Sequence, residues 1–167
     1  LIENVYEDME LLYPYYRLKE AGASVQLVGP EVQKYTGKHG YPMSSEVAAR
    51  DVGADDFDGV VIPGGYAPDK LRRYPEVLDI VKGVFEKNGL IAAICHAGWV
   101  PISAGILKGR TGTCVPAIKD DMMNAGMRYV DEPVVVDGNL VTSRTPVDLP
   151  QYLPAIIEVL SGERVAV

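Results

Sequence analysis

Cys95 followed directly by His96 is the pairing in this chain with the clearest chemistry. The cysteine ends an apolar run, Leu90-Ile91-Ala92-Ala93-Ile94, and the small residues Ala97 and Gly98 come after the histidine. The run suits a buried strand, and the small residues open a helix. That layout is a nucleophile elbow, a sharp strand-to-helix turn that pushes one side chain out at the carboxyl end of a sheet. Backbone N–H groups and a helix N-terminus at such a turn are expected to favour thiolate over thiol, with His96 as the base. An enzyme is the leading expectation. Only two histidines exist, His39 and His96. Triads that place their histidine far downstream of the nucleophile are therefore excluded, and a Cys–His pair has to be Cys95 with His96.

Two further groups belong beside that pair. Glu7 follows the first strand and sits at the start of the first helix, the carboxyl edge where doubly wound folds place their sites. If the first strand neighbours the elbow strand, Glu7 approaches Cys95. Like charge and burial then keep its carboxyl protonated and able to donate a hydrogen bond. The plainer alternative is that Glu7 and Asp8 are first-turn acids serving the helix dipole. Pro63-Gly64-Gly65 ends another strand at the same edge, and the N–H groups of Gly64 and Gly65 are candidates for an oxyanion hole. Cys114 reads as buried filler, Lys119-Asp120-Asp121 as a solvated helix face, and Tyr6, Tyr13, Tyr15 and Tyr16 as packing residues. Arg144 suits a carboxylate near the site or between subunits.

Strand-like and helix-like runs alternate, which predicts a sheet with helices on both faces over a single domain, residues 1–167. Helices are expected over 9–21, 76–87 and 97–104, with a last one opened by Thr145-Pro146-Val147-Asp148 as cap, first-turn proline and N3 acid. Strands are expected over 24–28, 59–62, 90–94, 111–114, 134–136 and 140–142, the last two joined at Asp137-Gly138. Residues 32–44, broken by Gly37, Gly40 and Pro42, read as a hairpin excursion. Only Leu1-Ile2 is left for an opening strand, so the sequence is expected to begin inside it.

A formal charge of −7, with no basic cluster longer than Arg72-Arg73, argues against nucleic acid as a partner. No apolar run approaches the roughly 20 residues of a membrane span, and no secretory signal is expected. Two cysteines do not make a secreted framework, so a reduced cytoplasm is expected. No paired zinc-ligand spacing occurs, and no metal is expected.

Taken in order, Asn4-Val5-Tyr6-Glu7-Asp8-Met9-Glu10-Leu11, Gly37-Lys38-His39-Gly40-Tyr41, Pro63-Gly64-Gly65, Ala93-Ile94-Cys95-His96, Ile118-Lys119-Asp120-Asp121 and Thr142-Ser143-Arg144 span essentially the whole chain. Together they resemble the PfpI intracellular-protease-like family, in the superfamily of the Parkinsonism-associated deglycase-like protein. The resemblance implies a flavodoxin-like, doubly wound, mainly parallel sheet with Cys95 as nucleophile and His96 as base. It implies that Glu7 hydrogen-bonds the thiolate and that the Gly65 and His96 amides form the oxyanion hole. It also implies an acid lent by a neighbouring subunit, at the position of Asp69. That acid is usually glutamate, and aspartate has the shorter reach. Ala97-Gly98-Trp99 replaces the commoner Gly-Pro after the histidine, so the pocket wall differs. Dimers and hexamers occur in such proteins, so self-association is expected. Three activities are implied, none needing a cofactor. The first is glyoxalase or deglycase action on small dicarbonyls such as methylglyoxal, or on their adducts. The second is cleavage of peptides, and the third is a redox-sensing stress chaperone.

Overall fold

A computed structural model describes residues 1–162. Helix α1 (Asp8–Glu20) comes first. Four short strands follow: β1 (Val28–Gly29), β2 (Lys34–Thr36), β3 (Pro42–Ser44) and β4 (Val47–Ala48). Next come β5 (Gly59–Ile62), α2 (Ala67–Leu71), α3 (Pro75–Glu86), β6 (Leu90–Ile94) and α4 (Trp99–Ser103). The remainder is β7 (Thr111–Gly112), α5 (Lys119–Asn124), β8 (Arg128–Tyr129), β9 (Val134–Asp137), β10 (Leu140–Ser143) and α6 (Leu149–Ser161).

The central sheet runs β5-β6-β10-β9, parallel except for the antiparallel β9–β10 hairpin that turns at Gly138. β6 lies inside it and is buried at every residue. Because side chains alternate across a strand, Ile91 and Ala93 enter one apolar cluster with Val77, Ile80, Val84 and Val100 of α3 and α4. Leu90, Ala92 and Ile94 enter the other, with Leu149, Tyr152, Leu153 and Ile156 of α6. Helices cover both faces, the flavodoxin-like α/β sandwich, and this explains why β6 is apolar without alternation. No helix of the described residues is long and apolar enough to cross a membrane.

Leu1 and Ile2 make no regular strand, yet they bridge two of them. The Leu1 nitrogen donates to Val61 at 2.8 Å and the Ile2 amide to Val28 at 2.9 Å, so this segment ties β1 to the edge of β5. β2 and β3 form the expected hairpin, Lys34 opposite Ser44.

Four expected elements differ at their ends. The strand over 24–28 is reduced to Val28–Gly29, which pair with Val47 and Ala48, while the Ala23 amide turns back to Leu18. The strand over 111–114 stops at Gly112, where its partner β8 ends. After Cys95 the chain makes a 3-10 turn, Cys95–Gly98, before α4. Pro101 has no N–H to give to the Ala97 carbonyl, so an α-helical bond cannot form there. At the last helix, Thr145 makes no side-chain cap. Asp148 is instead held by Arg144 at 2.9 and 3.1 Å, and a 3-10 turn over Pro146–Asp148 precedes α6.

Candidate active site

Where β6 ends, Cys95 takes φ +62°, a left-handed backbone that a non-glycine residue holds only when its surroundings over-determine it. The buried strand on one side and the 3-10 turn on the other impose it, and the sulfur is lifted off the sheet edge. Its distance to His96 Nδ1 is 3.4 Å. The backbone amides of His96 and Gly65 pull the thiol's pKa down and so favour the thiolate. These are the two N–H groups an oxyanion formed beside Cys95 would meet.

Beside Cys95 lies Glu10, a fully buried residue of α1 whose charge acts on the thiol, and a Cβ at Gly64 would meet both residues. Its Oε2 accepts from the Gly64 amide at 2.7 Å, whereas Oε1 is buried without a hydrogen-bond partner. Oε1 is thus the oxygen free to carry a proton toward sulfur. Burial pushes the Glu10 carboxyl up to about 8, with the Glu7 charge adding to the rise. The thiol is pushed up to about 12 by burial and by the Glu10 charge, against the pull of the His96 and Gly65 amides. Desolvation thus opposes the thiolate that the two amides favour. Each group's charge disfavours the other's, so the pair keeps at least one proton at neutral pH. When that proton sits on Glu10, the thiolate has three donors around it. His96 is held below its ordinary value by burial and by Lys38, and is neutral at pH 7.

Glu7 is placed differently from the expectation. It caps α1 and faces the hairpin, with Lys38 Nζ and His39 Nε2 each 3.3 Å from its carboxylate. Glu10, three residues on, takes the place beside sulfur. Gly64 is also corrected as an oxyanion donor, because its N–H is spent on Glu10. It matters for another reason: a Cβ there would collide with Glu10 Oε2 and come within 2.8 Å of the Cys95 Cβ. Gly65, at φ +75°, lets its amide turn to the sulfur while its backbone bridges Tyr6. Asp69, on α2, pairs with Arg73 one turn on and touches none of these groups within this chain.

The hairpin closes the site from above. Its turn is clamped by Lys38 N–H to Tyr6 O at 2.7 Å, and by the His39 and Tyr41 amides on Asp8 at 2.8 and 3.0 Å. Glu7, Asp8 and His39 bring their ligand atoms within 4.8 Å of one another, the one such cluster of potential cation ligands among the described residues. Both Asp8 oxygens are already taken by amides and Glu7 carries Lys38, so the cluster pins the turn without needing an ion.

The chain is similar to known proteins over nearly all of its length. The profile of the DJ-1/PfpI family matches residues 1–159. A deglycase of Pyrococcus abyssi is 46% identical over 155 residues, 93% of each chain. The deglycase PfpI of Pyrococcus furiosus is 44% identical over 160 residues, 96% of each. A putative cysteine protease of Bacillus subtilis is 41% identical over 153 residues, 91% of this chain and 90% of its own. Among solved structures, a two-domain protein of Anabaena variabilis with DJ-1/ThiJ/PfpI-like and ferritin-like domains superposes with a TM-score of 0.94 at 44% identity. The match covers 96% of this chain and 46% of that longer one. Drosophila melanogaster DJ-1beta superposes with a TM-score of 0.90 at 31% identity, over 96% of this chain and 88% of its own. With its fold and its sequence in agreement, the chain belongs to the DJ-1/PfpI family.

Proposed function

We propose that this protein is a cysteine-dependent enzyme acting on methylglyoxal or its early adducts, a glyoxalase or deglycase activity. The observation that carries the reading is that two proton carriers flank one sulfur, the buried Glu10 carboxyl on one side and neutral His96, 3.4 Å away, on the other. Isomerising a dicarbonyl needs such a pair, because a proton must leave one carbon and arrive at the next. Among the described residues no carboxylate bonds His96, so the chain by itself holds no peptidase triad. The deglycase names of the archaeal relatives support the same choice.

The reaction balances without an external oxidant or reductant. The Cys95 thiolate attacks the aldehyde carbon of methylglyoxal, forming a C–S bond. The aldehyde oxygen becomes an alkoxide facing the Gly65 and His96 amides and takes a proton from Glu10. His96 removes the hydrogen on that carbon as a proton, giving an enediolate; Glu10, now a carboxylate, carries a proton from the first oxygen to the second, and His96 returns its proton to the neighbouring carbon. A thioester of lactate remains. Water attacks it, the C–S bond breaks and Cys95 leaves as thiolate; one of water's protons restores the Glu10 carboxyl and the other is released with lactate. Methylglyoxal and water have become lactate.

The test is methylglyoxal consumption with lactate quantified for the wild type and Cys95→Ser, with a fluorogenic peptide assayed in parallel. Lactate formation that disappears in Cys95→Ser, with the fold intact by circular dichroism, is the expected result. Peptide cleavage without lactate would replace this reading with the peptidase one. Silence in both assays would overturn the enzyme reading.

A further inference from the structure

We propose that Trp99 is the positioning residue for His96, holding the imidazole by ring packing where a Cys–His–Asp triad would use an acid. The inference rests on Cys95 and His96 being the reacting pair. The two rings lie 5.2 Å apart between centroids at an interplanar angle of 56°, within the usual range for aromatic pairs. A separation of three residues places both side chains on one side of the turn.

Trp99 is itself fixed. Its indole N–H donates to Asp121 Oδ2 of α5 at 3.1 Å. The Arg72 guanidinium at the end of α2 lies over the indole, 5.8 Å from the ring centroid, and its Nε donates to Ser103 Oγ at 2.9 Å. Gly98 allows α5 to come this close, since a Cβ there would collide with the Met122 sulfur and come within 3.1 Å of Ile118. Arg72, Trp99 and Asp121 line a surface pocket of about 460 Å³. Among the described residues of this chain His96 has no polar side-chain partner besides Cys95, and the Trp99 ring is what its imidazole packs against.

Burial and Lys38 of the hairpin tune His96, while Glu10 and Glu7 of α1 act on Cys95 beside it. Arg72 and Asp121 lie beyond the indole. Removing that ring exposes the imidazole to water, which raises its pKa toward the ordinary 6.5.

The experiment measures kcat and KM for lactate formation across pH in Trp99→Leu, Trp99→Phe and Asp121→Ala, with Cys95→Ser as reference. Trp99→Leu is expected to lower kcat about 10- to 100-fold while KM changes less than about threefold. Its acid limb should move to higher pH. Trp99→Phe should recover most of the loss, and Asp121→Ala, on the exposed side of α5, should show a smaller loss in the same direction. An unmoved acid limb in both Trp99→Leu and Asp121→Ala, or a change confined to KM, overturns the proposal. Asp121→Ala keeps the test decisive if Trp99→Leu fails to fold. Should Cys95→Ser keep making lactate, the reading of the reacting pair falls and this proposal with it. An inactive Cys95→Ser beside unaffected Trp99 and Asp121 variants removes only the role of Trp99.

Discussion

The two cysteines sit in surroundings that agree in one respect and differ in every other. Burial pushes both thiols up to about 12. Cys114 lies just past β7, 1% exposed, in the apolar cluster that also holds Met122 and Met127. Cys95 sits on a left-handed turn with a histidine nitrogen, two amides and a buried carboxyl around its sulfur. A raised thiol pKa therefore marks burial in both places and reactivity in neither. What separates the regions is somewhere for the proton to go and donors for the charge it leaves.

The largest expected effect divides the two cysteines outright. Cys95→Ser should reduce lactate formation at least about 10³-fold, whereas Cys114→Ser should stay within about twofold of wild type. Comparable losses would erase the distinction.

Glu10→Leu comes next. It removes the proton carrier and should slow turnover about 100-fold, with Glu10→Gln, which keeps a donor, in between. Glu7→Gln should cost less than either. The pH dependence has a definite sign. Glu10 holds its proton below about 8 and loses it above, so kcat should fall as pH rises through about 8 in the wild type. That alkaline limb should be absent in Glu10→Gln. The same raised carboxyl stabilises the fold below its unfolded value, and the contribution is lost as pH rises toward about 8. A Tm that declines over that interval in the wild type and much less in Glu10→Gln would show it.

Gly64→Ala is a smaller perturbation of the same region. The added Cβ meets Glu10 and Cys95 together, so about 1–3 kcal/mol of stability should go, read from denaturant unfolding, along with much of the rate. An Ala at Gly22, where nothing lies within 4 Å, meets no such clash, although its φ of +91° carries its own strain. Asp69→Asn is expected to have the least effect on dicarbonyl turnover, since Asp69 pairs only with Arg73 within this chain. A peptide cleavage activity much more sensitive than lactate formation to Asp69→Asn would be the sign of an acid lent between subunits.

The elbow was legible because it is local. A strand, a cysteine, a histidine and small residues follow one another, and Gly64-Gly65 ends the strand beside them. The sequence points to Glu7 because it follows the first strand at the carboxyl edge of the sheet, and nothing adjacent in sequence sets Glu10 apart. The overlooked signal is its phase: Glu10, Pro14 and Leu18 share one helical stripe and are all buried, and an acid on an apolar stripe needs a reason to be there. Asp121 was legible as a solvated residue, and it is exposed. Its bond to Trp99 depends on α5 closing over Gly98, a tertiary contact with no local pattern. The shortened strands near 24–28 and 111–114 have the same origin, because a ladder extends only as far as its partner.

The most direct measurement is the rate of iodoacetamide alkylation of each cysteine, resolved by peptide mass, from about pH 5 to about pH 10 in the wild type and Glu10→Leu. Cys95 should label at least about 100-fold faster than Cys114 near neutral pH, and Glu10→Leu should bring it down toward the Cys114 rate. Equal labelling of the two cysteines, or a Cys95 rate indifferent to Glu10, would contradict the account.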